Sequence, residues 1–316
     1  MEYRNLGRAG VKVSAVGVGC NQFGRKVDRE GTKAIVHRAL DLGLNFFDTA
    51  DVYGNQGGSE EFLGEALVGE WDRVVIATKF RSRMGDGPND EGASRYHLQN
   101  AVEASLRRLK TDHIDLYQVH EWDDGTPIEE TLRALDDLVR AGKVRYVGAS
   151  NYDAWQLCHA NDLAVMRGWE AFATLQPHYH MLERGIEREL VPYCRWAGIG
   201  ILPYFPLAGG FLTGKYRRGE PPPPGTRGES SAYVQKYLAD VNFDLLDKLC
   251  AFAEARGRTV GELAVAWLLN QPQVCSVIAG ATQPDQVSAN VTPAGWTLTV
   301  EELAEIRGWL EGKPAA

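Results

Sequence analysis

Three apolar runs in this chain each end on an ionisable side chain. The run from Leu44 stops at Asp48, Val74 to Thr78 stops at Lys79, and Ile114 to Val119 stops at His120; a phenol, Tyr53, follows Asp48 by five residues. A carboxylate, an ammonium, an imidazole and a phenol suit general acid–base work on a carbonyl or alcohol oxygen. A free tyrosine, with a pKa near ~10, exchanges protons poorly at neutral pH, and a neighbouring ammonium lowers that value by stabilising the phenolate. Lys79 can supply the ammonium, Asp48 can keep it charged, and His120 can position an oxygen or relay a proton. No Ser or Cys stands beside a base in a nucleophile motif. Each residue also has a plain structural use: an Asp48–Lys79 ion pair, a loop tyrosine, a hydrogen-bonded core histidine. What favours one site is their common place at the ends of successive strands, because in a parallel barrel those ends share the face where active sites form.

Such a barrel needs helices between the strands, and the sequence supplies them. Ile35, Ala39 and Leu42 form a stripe before the Asp48 run, and Phe62, Leu63, Ala66 and Leu67 form one before the Lys79 run. Leu98, Val102, Ser105, Leu106 and Leu109 precede the His120 run, and Ile128, Leu132, Leu135 and Val139 precede Val144 to Ala149. Spacings of three and four are the helical period, and unbroken apolar strands are those buried on both faces. Further on, the pattern predicts helices over 153–167, 184–197 and 242–256, a strand ending at Gln176, strands over 199–204 and 274–280, and helices from Pro284 and Val300. Thr259 and Glu262 have the spacing of a capping box. Residues 3–13 read as a hairpin turning at Gly7 to Gly10, able to plug the bottom of a barrel. Residues 207–240, rich in Gly and with Pro221 to Pro224, read as a long loop, a feature that is usually functional. With Ala15 to Gly19 the strands number eight, so the expectation is an α/β fold: one (β/α)8 TIM barrel domain over 1–316, with an N-terminal hairpin and a long loop after the seventh strand. Gly17, Gly19 and Gly24 do not make a dinucleotide fingerprint, since no helix opens on the second glycine.

Composition narrows the class. Of 316 residues 44% are apolar and 24% charged, the net charge is −8, and no apolar run reaches membrane-span length. The acidic balance argues against a nucleic-acid binder. Five dispersed cysteines without a Cys-x-x-Cys pair, and a start lacking signal-peptide character, lead to the expectation of a cytoplasmic protein. His178-x-His180 has no third ligand motif, so no metal is expected.

In ordered motifs the chain resembles the aldo-keto reductases from end to end. The stretches that carry the resemblance are Phe47 to Gly54, Ala77-Thr78-Lys79, Asp115 to His120, Gly148 to Asn151, Gln176-Pro177, Tyr204 to Gly210 and Gly280-Ala281-Thr282. The likeness is nearer the bacterial branch that includes potassium-channel β subunits. It implies a barrel that binds NADP(H), with NAD(H) as the other option, and a small carbonyl or alcohol substrate. Tyr53 would be the general acid, with Asp48, Lys79 and His120 completing a tetrad. Ser150, Asn151, Gln176 and Tyr204 would hold the nicotinamide half. Phe205, Pro206, Leu207, Ala208 and Gly209 would approach the pyrophosphate, with Lys215 and Arg227 as partners for a 2′-phosphate. Gly280, Thr282, Gln286 and Asn290 would take the adenosine end. Phe205, Gln286 and Ala289 depart from the Ser, Arg and Glu common among relatives, which bears on the preference for NADPH over NADH. Phe23, Phe80 and Trp122 are candidates for an apolar substrate pocket. Two other readings share these residues: a cofactor-binding regulatory subunit and an NAD-dependent sugar or alcohol dehydrogenase.

Overall fold

The computed structural model describes residues 1–311. Strands β1 (Tyr3–Asn5) and β2 (Lys12–Ser14) form the expected antiparallel hairpin, with Tyr3 opposite Ser14. Its turn requires Gly7: φ is +59°, and a Cβ there would meet the Gly200 amide nitrogen at 2.6 Å. Leu6, Ala9 and Val13 of the hairpin pack with Phe46, Val75, Ala77, Leu116 and Leu202. The hairpin therefore plugs the barrel, as the sequence predicts.

Eight parallel strands follow: β3 (Val16–Gly19), β4 (Phe46–Asp48), β5 (Val75–Phe80), β6 (Ile114–Val119), β7 (Val144–Ser150), β8 (Thr174–Gln176), β9 (Gly200–Ile201) and β10 (Val277–Gly280). They pair in chain order from β3 to β9, and β10 pairs back onto β3. The remaining seam, β9 to β10, is held by the bridges Ile201–Val274 and Tyr204–Ile278 instead of a continuous ladder. The architecture is the (β/α)8 barrel. The run at 199–204 yields only a two-residue strand, because Pro203 has no amide hydrogen to give a ladder.

The first helices are α1 (Arg29–Asp41), α2 (Tyr53–Ala66), α3 (Arg95–Leu109), α4 (Ile128–Arg140), α5 (Ala154–Arg167) and α6 (Leu190–Ala197). Asp28 caps α1 by accepting from the Gly31 amide at 2.8 Å, and Ser94 caps α3 by accepting from His97 at 3.2 Å. The helix expected over 184–197 is divided: a 3-10 turn at Gly185–Glu187 precedes α6. The stretch 207–240 is also not the bare loop expected. It holds a 3-10 turn (Ala208–Thr213), α7 (Arg227–Ser230), α8 (Ala232–Gln235) and a second 3-10 turn (Lys236–Leu238). The stretch buries Phe211, Leu212, Tyr216, Val234 and Tyr237, an irregularly spaced apolar set that a Gly and Pro count conceals. Helices α9 (Asp240–Glu254), α10 (Val260–Leu269), α11 (Pro284–Val291) and α12 (Val300–Glu311) complete the described chain. The Thr259–Glu262 capping box is present at α10. Among the described residues no helix is long and apolar enough to cross a membrane.

Register sets the height of the candidate side chains. Gly19 lies opposite both Asp48 and Gly280, Lys79 opposite Gln118, and Ser150 opposite Gln176. All of these positions are at the C-terminal rim.

Candidate active site

Asp48 is 3% exposed and Lys79 not at all. The Lys79 ammonium donates to Asp48 Oδ2 at 2.7 Å and to the Thr49 carbonyl at 2.8 Å. The other Asp48 oxygen accepts from Gln176 Nε2 at 2.7 Å and from Gln118 Nε2 at 3.3 Å. A buried ion pair is stable only with its remaining valences satisfied, and these amides satisfy them. Tyr53 opens the α2 span, but Gly54, Asn55, Gln56 and Gly57 all have positive φ, so a left-handed turn intervenes before regular helix. That turn leaves the Tyr53 ring 5.1 Å from Lys79 Nζ and edge-on to His120 at 5.7 Å and 79°. Ser82 Oγ lies 3.3 Å from His120 Nδ1.

Protonation follows from burial and neighbours. Burial pulls the Lys79 ammonium down, but Asp48, and then Tyr53, outweigh it and leave Lys79 above the ordinary lysine value. Burial raises the Tyr53 phenol, Lys79 opposes it, and the net direction is upward. This reverses the expectation of a lowered phenol: exclusion of water penalises the phenolate more than one ammonium restores. His120 is held down to about 3, by burial first and then by Lys79 and Arg81. At neutral pH the group is thus a charged lysine beside a neutral phenol and a neutral imidazole. Such an arrangement can give a proton to an oxygen seated on Tyr53 and stabilise the anion left behind. Beside it, Asp51 is fully buried, and neither carboxylate oxygen has a hydrogen-bond partner among the described residues. Burial, then Glu60, pushes its pKa up to about 8.

Asp48 and Tyr53 lie at the floor of a cavity of about 1070 Å³. Its walls include Gln176, Tyr204, Phe205, Pro206, Leu207, Gly209, Lys215, Arg227, Gly280, Thr282, Gln286 and Asn290, so most of the cofactor candidates converge on one space. Ser150, Asn151 and Ala208 do not line it. Ser150 Oγ donates to the Gln176 carbonyl at 2.9 Å, Asn151 donates to the His120 carbonyl at 3.0 Å, and the Tyr204 hydroxyl donates to Asn151 Oδ1 at 3.0 Å. These two side chains therefore reach the wall through hydrogen bonds. Ala208 is fully buried. Gly210, which does line the cavity, has φ +97°, a conformation that favours glycine.

The aromatic pocket candidates are not brought together at the cavity. Phe23 and Phe80 are fully buried, Phe80 stacked on Tyr117 at 4.8 Å, and Trp122 packs edge-on against Tyr152 and Trp155. None of the three lines the cavity. In their place Cys20, Asn21, Gln22 and Lys26, from the turn after β3, and Thr259 and Glu262, at the start of α10, contribute to its walls. The first group has no local signature beyond following a strand. The second was legible only as a helix cap.

Comparison with known proteins agrees with this geometry. The profile of the Aldo/keto reductase family matches residues 15–311. The chain is 38% identical to a probable voltage-gated potassium channel subunit beta of Arabidopsis thaliana, over 99% of this chain and 98% of that one. It is 36% identical to the uncharacterized oxidoreductase YrpG of Bacillus subtilis, covering 96% and 94% of the two chains. It is 33% identical to the L-glyceraldehyde 3-phosphate reductase of Escherichia coli, covering 97% and 91%. With a closed eight-stranded barrel, a buried acid–lysine pair at its rim and a match along nearly its whole length, the chain belongs to the aldo/keto reductase family of oxidoreductases.

Proposed function

We propose that the protein is an NADP(H)-dependent enzyme that reduces an aldehyde or ketone to an alcohol, reversibly, with Tyr53 as general acid. The observation that carries the reading is the buried Asp48–Lys79 pair beside the Tyr53 phenol at the floor of the large cavity. A bound nicotinamide supplies hydride chemistry at the carbonyl carbon. Tyr53 gives its proton to the carbonyl oxygen, and Lys79, kept charged by Asp48, stabilises the phenolate as it forms. His120, neutral and with Ser82 at Nδ1, orients the same oxygen. In the oxidative direction these groups run in reverse.

The residues present fit a phosphorylated dinucleotide. Lys215 and Arg227 line the cavity, and neither has an acidic partner among the described residues. Burial lowers the Arg227 pKa, as for a cation set apart from water. An anion of the ligand would restore what burial takes away. Gln176 offers its amide to the carboxamide and Tyr204 its ring face, with Ser150 and Asn151 hydrogen-bonded behind them and holding them in place. Gln286 Oε1 already accepts from the Thr282 amide at 2.7 Å and hydroxyl at 3.2 Å. Its amide NH2 is left for the adenosine end with no charge, so preference for NADPH rests on Lys215 and Arg227. We take residues 1–316 as one domain of a cytoplasmic enzyme acting on a small molecule.

The test is oxidation of NADPH, and separately of NADH, with a panel of aldehydes and ketones, by wild type and Tyr53→Phe. The expected result is turnover by wild type and a loss of about 10²-fold or more in the variant, with cofactor binding retained. Equal rates in the two proteins would remove Tyr53 from the mechanism. The similarity to channel β subunits favours a second reading, a cofactor-binding regulatory protein. Tight cofactor binding without turnover in either direction would support it.

A further inference from the structure

His178 and His180 follow β8 and stand behind the cavity wall, outside its lining. Their Nε2 atoms lie 2.9 Å apart. The Leu182 amide donates to His180 Nδ1 at 3.1 Å, which leaves the ring proton of His180 on Nε2. That proton faces His178 Nε2, so His178 carries its own on Nδ1; the Tyr233 oxygen lies 2.6 Å from Nδ1 and 2.9 Å from Nε2. The Tyr237 hydroxyl lies 3.3 Å from His180 Nε2 and donates to Glu183 at 3.3 Å; Lys236 donates to the same carboxylate at 3.0 Å. One order of protons satisfies the chain with both rings neutral, and a second proton on either ring would set donor against donor. Burial agrees, holding His178 down to about 4 and His180 well below the ordinary value.

The two halves of this cluster come from different places. The histidines belong to the barrel, whereas Tyr233 and Tyr237 belong to α8 and the turn after it, in the excursion that follows β9. The cluster also touches the cavity wall from behind. The His178 ring stacks on Tyr204 at 5.3 Å and 14°. Phe205, at φ +62°, packs against His178 at 5.8 Å and Tyr233 at 5.3 Å, with the Arg227 guanidinium 5.4 Å over its ring. Phe205 is a bulky residue in the left-handed region, a conformation that persists only where surrounding contacts impose it.

We propose that His178, His180, Tyr233 and Tyr237 are positioning residues that form a hydrogen-bonded clasp, fastening residues 227–238 to the barrel and so fixing Tyr204, Phe205 and Arg227 against a bound dinucleotide. Unfastening the clasp speeds release of that ligand. The identity of the ligand rests on the function proposed above; the clasp itself is a property of the free protein.

Hydrogen exchange tests the clasp and ligand dissociation tests its consequence, in wild type, Tyr233→Phe, His178→Phe and the double variant. The second substitution keeps a ring to stack on Tyr204 and removes both nitrogens. Amides of 227–238 are expected to exchange about tenfold faster in Tyr233→Phe, the loss of one modest hydrogen bond, and at least as fast in His178→Phe, which also loses the bond to His180, with exchange in the barrel strands unchanged. The double variant is expected to be no faster than His178→Phe alone, since that substitution already removes the bond to Tyr233. Unchanged exchange of 227–238 in both single variants overturns the clasp, whatever the protein binds. Full additivity in the double variant overturns the shared bond. NADPH dissociation, followed by its fluorescence in stopped flow, is expected about tenfold faster in the single variants, with association within about twofold. Faster exchange with unchanged dissociation overturns the link to ligand retention. Failure of wild type to bind NADPH or NADH refutes the dinucleotide reading, and the exchange result still decides the clasp.

Discussion

Asp51 stands two residues before Tyr53 with both carboxylate oxygens buried and unpartnered, next to a second buried acid, Glu60. Its ordinary pKa of 3.8 becomes about 8 in the folded protein. Between those values the folded protein holds a proton that the unfolded chain has released, so this group's contribution to stability falls as pH rises through the window. Asp51→Asn keeps the shape and abolishes the titration. Its melting temperature is expected to exceed that of wild type by about 3–6 °C at pH 8.5 and to differ little at pH 5, measured by scanning fluorimetry. A constant difference between the two pH values would assign the effect to packing. His120 gives the opposite kind of prediction. Held down to about 3, it stays neutral throughout any practical assay, so the pH–rate profile of carbonyl reduction is expected to show no break from it between pH 5 and 9. A break near pH 6.5 that disappears in His120→Gln would show that water reaches the ring.

At the scale of elements, α2 and α3 are joined by Arg108, whose Nε donates to the buried Glu60 at 2.7 Å, while Thr78 of β5 donates to the other Glu60 oxygen at 2.6 Å. Arg108→Met leaves Glu60 an unpaired buried anion beside Asp51, and is expected to cost about 3–5 kcal/mol in urea denaturation. Adding Glu60→Gln should recover part of that loss; no recovery would mean that the arginine acts through its stem alone. The strand that carries Thr78 was legible in the sequence, because Val74 to Thr78 is an unbroken apolar run that halts at a charge. The same signal located Asp48 and His120, and the helical stripes between the runs fixed the barrel. Other features left no such trace. The turn after Tyr53 depends on positive φ at Asn55 and Gln56 as well as at two glycines, and nothing in residue type requires that of Asn and Gln. The stretch 207–240 buries Phe211, Leu212, Tyr216, Val234 and Tyr237, spaced too irregularly to show a period. Lys26 and Gln22 reach the cavity from a polar turn whose direction is set only once β3 is in place.

For the whole molecule, pH dependence has a computable shape. Four imidazoles, His97, His120, His178 and His180, lie below their ordinary value of 6.5, each chiefly through burial. The unfolded chain takes up protons at these sites as pH drops below that value and the folded protein does not, so stability falls toward acid. Asp51 opposes them with a single group below pH 6.5 and acts alone between there and pH 8. The melting temperature is therefore expected to peak near pH 6.5, and a profile flat from pH 5 to 9 would contradict the burial of these groups. The barrel's closure has a mechanical consequence. Around the circumference every joint is a ladder except that between β9 and β10, where two isolated bridges do the work, and the residues of the upper bridge, Tyr204 and Ile278, both face the cavity. The molecule is a hoop with one soft joint, and the cavity of about 1070 Å³ straddles that joint. Anything lodged there grips both edges and acts as a rivet: the empty hoop should part at this joint under tension, and the filled one should hold until the rivet itself is torn out.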